Sequence, residues 1–224
     1  MARAIPNRLQ SGSKAVGGSA RGLVAALSFM LAGTACGAGS DPNATRQGEL
    51  RVWVGQIANS DVDLGIVASA TQSTLFFCGG SRSFTDHTHW FVGAGPLVDG
   101  ARIDGGGWHV SIDAAQQQVS GTVVIDGLDS TDFSAEAVAP GTIAGVYDAF
   151  VPCGHAGLIV RQPADGNVAM TAGTCLQSNA DFANVEQVSP VMPVTSSARS
   201  GIFAELTDDP SQQFTLHPLS LEGI

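Results

Sequence analysis

The chain predicts a mainly β fold, a single antiparallel β-sandwich or barrel domain that follows a signal peptide and a flexible tether, and three observations carry that expectation. Apolar and polar residues alternate with a period of two over many short stretches. Those stretches are rich in β-branched and aromatic residues, and turn residues (Gly, Asp, Ser or Pro) separate them at short, regular intervals. Successive side chains of a strand point to opposite faces, so alternation marks half-buried strands, and even spacing between turns marks an antiparallel meander.

Residues 51–57 (RVWVGQI) open the domain, and 64–68, 74–78 and 88–92 follow as short runs of β-branched and aromatic residues. After Gly105-Gly106-Gly107, the segment Trp108-His109-Val110-Ser111-Ile112 puts large apolar residues on one face and polar ones on the other. Residues 118–125 repeat the pattern before the turn signal Asp126-Gly127. Strands at 133–138 and 142–151 continue it, and 157–161 with 168–172 read as a hairpin about Ala164-Asp165-Gly166-Asn167. One short helix is expected over 178–188, where Phe182, Val185 and Val188 fall three apart, with Pro190 and Pro193 ending it in an extended segment. Strands at 201–206 and 213–216 close the chain around Asp208-Asp209-Pro210-Ser211. An aromatic strand leads into Cys78-Gly79-Gly80 and another into Cys153-Gly154-His155, an echo that suggests two similar halves.

Residues 1–35 read as the signal peptide: four basic residues (Arg3, Arg8, Lys14, Arg21), no acidic ones, then an apolar run over 23–35 too short to span a bilayer. Ala35-Cys36 resembles the lipobox of bacterial lipoproteins, whose cysteine is acylated and becomes the mature N-terminus. Gly33 stands where that motif usually has Leu, with Leu31 two residues earlier. Residues 36–48, rich in Gly, Ser, Asn and Asp, then form the lipidated cysteine and its tether, and 49–224 the β-rich domain. The expected location is the cell envelope, as a lipoprotein, or the exterior if Cys36 is not acylated.

All twenty acidic residues lie at or after Asp41, against six basic ones there, a net charge of −14 beyond the signal. Such a chain is repelled by nucleic acid and by anionic membrane surfaces. Membrane contact is expected through the lipid anchor alone, and the partner is expected to be an envelope protein, a glycan or a small ligand.

Export implies an oxidising compartment. With Cys36 acylated, Cys78, Cys153 and Cys175 remain, so one is unpaired. Cys153 and Cys175 flank the expected hairpin about three residues out of register, a gap that a bulge closes, which favours a disulfide between them; a Cys78–Cys153 pairing is the alternative. In Asp86-His87-Thr88-His89-Trp90, a strand would put His87 and His89 on one face, where two imidazoles can converge on zinc or copper with His109 or His155 as a third ligand. The plainer reading is a polar loop entering the next strand. No other cofactor is expected. Trp90 and Trp108, with Trp53 and Tyr147, could stack on a sugar or an apolar ligand, with core filling as the alternative.

The run Leu75-Phe76-Phe77-Cys78-Gly79-Gly80, then Trp90-Phe91-Val92-Gly93, Trp108, Ser120-Gly121-Thr122 and Phe133-Ser134-Ala135, resembles a group of uncharacterised secreted and lipid-anchored β domains of high-GC bacteria. Gly79 replaces an acidic residue of that pattern. The resemblance spans residues 51–148 and implies a β fold and an envelope location, with no activity attached. Phe77-Cys78-Gly79-Gly80-Ser81 also resembles the Cys-Gly-Gly-Ser of chymotrypsin-like proteases. The chain lacks their Ala-Ala-His-Cys and Gly-Asp-Ser-Gly-Gly elements, and it has no Gly-x-Ser-x-Gly elbow. No catalytic residue is therefore assigned. The expected function is a non-catalytic binding or structural module of the envelope, with a metal-binding protein using His87 and His89 as the alternative and a secreted hydrolase behind it.

Overall fold

A computed structural model of the chain describes residues 49–161, 169–170, 173–176, 185–191 and 201–221. Those residues form antiparallel strands and contain no helix. The first sheet is built from β1 (Arg51–Ile57), β2 (Asp63–Ala68), β3 (Ser73–Cys78), β4 (His89–Phe91), β5 (Ala101–Gly105), β6 (Trp108–Ala114), β7 (Gln118–Ile125) and β8 (Thr131–Ala137). Its order is β4-β3-β2-β1-β8-β7-β6-β5, so the first strand sits in the middle, paired with β2 on one side and β8 on the other. The sheet curls into a nearly closed barrel. Alternation drives the curl: Trp108, Val110 and Ile112 of β6 turn inward while His109, Ser111 and Asp113 stay exposed. Phe77 lies at the centre, its ring 5.1 Å from that of Trp108, 6.1 Å from Phe91 and 6.4 Å from Phe133.

The second sheet contains β9 (Gly145–Val151), β10 (Gly154–Arg161), β11 (Ala169–Met170), β12 (Gly173–Leu176), β13 (Val185–Pro190), β14 (Ile202–Leu206) and β15 (Gln213–Pro218). β9 pairs with both β10 and β15, which closes β9, β10, β12, β13, β14 and β15 into a six-stranded barrel. The expected hairpin forms, with Val160 opposite Met170. Ala156 lies opposite Cys175, so the register moves by one residue between β11 and β12. Cys153 sits in the β9–β10 turn, three residues before Ala156, and is bonded to Cys175 with their Cα atoms 6.1 Å apart.

A third apolar layer joins the two sheets. β2 and β3 are buried at every position because both of their faces are covered. Val67, Phe76, Cys78 and Trp90 on the outside of the first sheet meet Val146, Ile159, Leu176 and Val185 of the second. Glycines supply the room: a Cβ on Gly157 would stand 2.4 Å from Trp90 Cζ2 and 2.7 Å from Phe76 Cε1, and one on Gly65 would stand 2.4 Å from Val146 Cγ2. An ion pair of Arg161 Nε with the buried Asp63 Oδ1, 3.0 Å apart, ties β10 to β2.

The structure corrects the helix expected over 178–188. Residues 178–184 lie outside the described residues, and Val185–Pro190 is strand β13, with Val185 and Val188 buried and Glu186 exposed. Closing the barrel requires a strand between β12 and β14, and that pairing overrides the three-residue apolar spacing. The turn expected at 164–167 also lies outside the described residues. Two strands, β5 and β12, were not legible: β5 carries a single buried side chain, Ile103, and β12 is four residues long.

Candidate functional site

The first sheet does not quite close, and the gap between its edges is the candidate site. Among the described residues β4 pairs with β3 alone and β5 with β6 alone. An unpaired edge offers backbone N–H and C=O groups to whatever lies beside it. The edges are brought together by the β5–β6 turn, in which Gly106 and Gly107 both take positive φ, the conformation of a tight two-residue hairpin. Gly106 presses on His89, since a Cβ there would fall 2.6 Å from the ring's Cε1. His89 stacks on Trp108 at 5.4 Å and meets the edge of Phe91 at 4.5 Å. Side chains therefore bridge where a hydrogen-bonded ladder would otherwise run.

This seam opens as a cleft of about 510 Å³, floored by His89, Trp90 and Phe91, with Val92, Ile103 and Asp104 along its sides. Val92 is 41% exposed and His89 only 4%. Burial pulls the His89 pKa below its ordinary value, which leaves a neutral imidazole in the cleft wall at neutral pH. The cleft thus lies over packed aromatic residues, with the exposed Val92, a few polar groups and two strand edges around it.

Of the sequence candidates, Trp90 lies in the cleft floor and Trp108 stands behind His89; both are buried, at 2% and 1% exposed. His87 and His89 do not share a cavity: His87 lines a separate one at the end of the barrel. No group of three or more His, Cys, Asp or Glu side chains among the described residues is placed to hold a metal ion. His109 is instead engaged by Asp104 at 2.6 Å and Asp126 at 3.4 Å, and those contacts raise its pKa, the Asp104 hydrogen bond first. His155 lies 3.0 Å from Asp148 Oδ2. Cys153 and Cys175 are bonded. Cys78 is fully buried, and burial pushes its thiol up to about 12. Cys36 lies outside the described residues.

One arrangement gave no signal in the sequence. Phe76, Trp90, His155 and Phe150 stack face to face in a column, with centroid spacings of 4.0, 4.2 and 4.5 Å. It runs from the interior between the sheets to Phe150, which is 80% exposed. Trp90 also lines the cleft, and its ring stacks between Phe76 of the first sheet and His155 of the second. Four residues from three distant segments make the column, and no local spacing announces it.

The fold and this site define a two-barrel β protein with an aromatic cleft along the open seam of its first barrel. No protein-family model matches the chain, and neither a curated protein nor a solved structure proved similar to it.

Proposed function

We propose that this chain is an exported protein of the bacterial cell envelope, held to the membrane through a lipidated Cys36, or secreted where that cysteine is not acylated. There it acts as a non-catalytic binding module. The seam cleft is its ligand surface, with Trp90 in the floor and Trp108 fixing His89 from behind. The observation that carries the reading is the aromatic cleft lying between two unpaired strand edges. Such edges recognise an extended segment by adding it as a strand, and the exposed Val92 beside them offers apolar contact. An envelope protein is accordingly the favoured partner, ahead of a glycan or a small ligand.

The test uses the full chain expressed in a lipoprotein-processing bacterium. Detergent-phase partitioning of wild type and its loss in Cys36→Ala is the expected result for the anchor; a soluble wild type without lipid would make the protein secreted. For binding, amide hydrogen exchange of the chain with and without solubilised envelope should show new protection at residues 89–92 and 101–105. Protection confined to other strands would remove the seam from the proposal.

A further inference from the structure

The two ends of the first barrel differ in character. At the entry end β1 starts at Arg51 and β2 finishes at Ala68, and the turns 69–72 and 115–117 and the loop 92–100 cap it. Leu50 and Val98 stand there 40% and 52% exposed, with the exposed Pro96 and the half-buried Leu97 beside Val98. A cavity of about 340 Å³ at this end is lined by Leu97 and Val98 together with the buried Trp53 and Ala68, so apolar surface continues from the rim toward the core. The opposite end is acidic. Asp61, Asp86, Asp104, Asp126, Asp129 and Asp132 lie in or beside its loops, with Arg82 as the one Arg or Lys among them. The entry end instead sets Arg51 and Arg102 against Glu49, Asp99, Asp113 and Glu136. An anionic lipid surface therefore repels the acidic end more strongly than the entry end.

The length of chain before the barrel selects between these ends. Residues 37–48 separate Cys36 from Glu49. A coil of that length spans about 20 Å and cannot exceed about 40 Å. β1 is seven residues long, so the barrel is about 23 Å tall. A lipid on Cys36 therefore holds the entry end within about one barrel height of the bilayer, and the acidic end could reach the surface only by turning the barrel over on a stretched tether.

We propose that the entry end of the first barrel rests on the lipid bilayer, with Leu50 and Val98 in the headgroup region and the acidic end turned away. The inference rests on the anchoring at Cys36 proposed above and goes beyond it: the anchor brings the protein to the membrane, and this end sets how it stands there. Two half-exposed aliphatic side chains are too little to hold a free, acidic protein on a membrane. A short tether keeps them at high effective concentration beside the lipid, where a small apolar gain is enough to choose an orientation. The seam, which runs along the side of the barrel, stays open to other envelope components in this orientation.

The test compares Val98→Cys with Leu128→Cys, a residue of matching exposure, 54%, at the acidic end. Each variant of the full chain is expressed in a lipoprotein-processing bacterium and labelled with an environment-sensitive fluorophore. Cys78 is buried and Cys153 is bonded to Cys175, so the introduced thiol takes the label. The proteins are reconstituted into vesicles of equal parts phosphatidylcholine and phosphatidylglycerol. The label at position 98 should brighten about twofold or more and be quenched by spin-labelled lipid, while the label at 128 keeps its aqueous emission. Equal responses at the two positions, no response at 98, or a response at 128 alone, in protein that floats with the vesicles, would overturn the orientation and leave the anchor standing. Wild type that does not float with the vesicles would overturn the anchor and the orientation together. Both substituted positions are exposed, so the variants fold, and melting temperatures equal to that of wild type verify it.

Discussion

The two barrels solve one problem, the disposal of sheet edges, in different ways. The second closes by backbone: β9 pairs on both sides, and the Cys153–Cys175 disulfide pins the turn that enters β10. The first closes by side chains: His89, Phe91 and Gly106 bring β4 and β5 together without a ladder. A closed barrel has no edge left to offer, whereas a seam held by packing keeps two edges and a cleft. The difference bears directly on the binding role proposed above, which places recognition in the barrel whose closure is incomplete.

The sharpest way to break the comparison is Gly106→Val. A β-branched residue is strained at a φ of 59°, and its side chain would have to displace the His89 ring. Left-handed strain and overpacking together should cost about 3–5 kcal/mol, read by urea denaturation. Loss should be concentrated in the first barrel, with hydrogen exchange at 89–91 and 101–105 accelerating first. Uniform acceleration through both sheets would show that the seam is not an independent weak point.

Next in size is the corresponding change in the second barrel. Cys153→Ala/Cys175→Ala removes a crosslink between residues 22 apart. By the chain-entropy account this should lower stability by about 3 kcal/mol. The ladder between β9 and β10 remains, so the variant should still be folded, by far-ultraviolet circular dichroism, at neutral pH and room temperature. A variant that fails to fold would mean that closure depends on the disulfide as much as on hydrogen bonds.

These two closures were unequally legible in the sequence. The disulfide followed from a hairpin and a cysteine count, because both depend on local spacing; the expected bulge does not close the three-residue offset, since Cys175 lies opposite Ala156, and the bond instead reaches Cys153 in the β9–β10 turn. Most strands of the first sheet were legible because alternation is local too, as in Trp108-His109-Val110-Ser111-Ile112. β5 was not, since as an edge strand it buries only Ile103 and shows little apolar pattern. The seam needs that edge, so the cleft is invisible in the sequence even though His89, Trp90 and Trp108 each stand out there. The helix expected at 178–188 failed at Val185 and Val188 for the opposite reason: their apolar spacing suited a helix, and long-range pairing decided otherwise.

A smaller effect distinguishes the seam by its response to acid. Burial holds His89 neutral, its pKa below the ordinary 6.5, so the unfolded chain takes up the proton first. Its contribution to stability is therefore whole above about pH 6.5 and declines as pH falls from there toward the folded value. His109 acts in the other direction: its raised pKa gives a contribution present below 6.5 and lost as pH rises through the folded value. Comparing His89→Phe with wild type, both carrying His109→Asn, isolates the first term. The melting temperature of the chain that keeps His89 should drop more between about pH 7.5 and about pH 5.5 than that of the His89→Phe variant. Parallel curves would mean that the imidazole is reached by water in the cleft.

The smallest expected effect is an absence of reaction, and it probes the layer shared by the two barrels. Cys78 ends β3, fully buried against the second sheet, with Thr174 Oγ1 3.9 Å from its sulfur. With its thiol pushed up to about 12, only about one molecule in ten thousand would be thiolate at pH 8, and the sulfur has no open approach. In a Cys36→Ser chain with the disulfide intact, iodoacetamide should add nothing to Cys78 under native conditions, and intact mass should show one adduct only where denaturant unfolds the domain. Alkylation that instead begins at lower denaturant than loss of the β signal would show that the barrels part before either unfolds. The layer built on Gly65 and Gly157 would then be a hinge, and the two differently closed barrels would be separate units of stability.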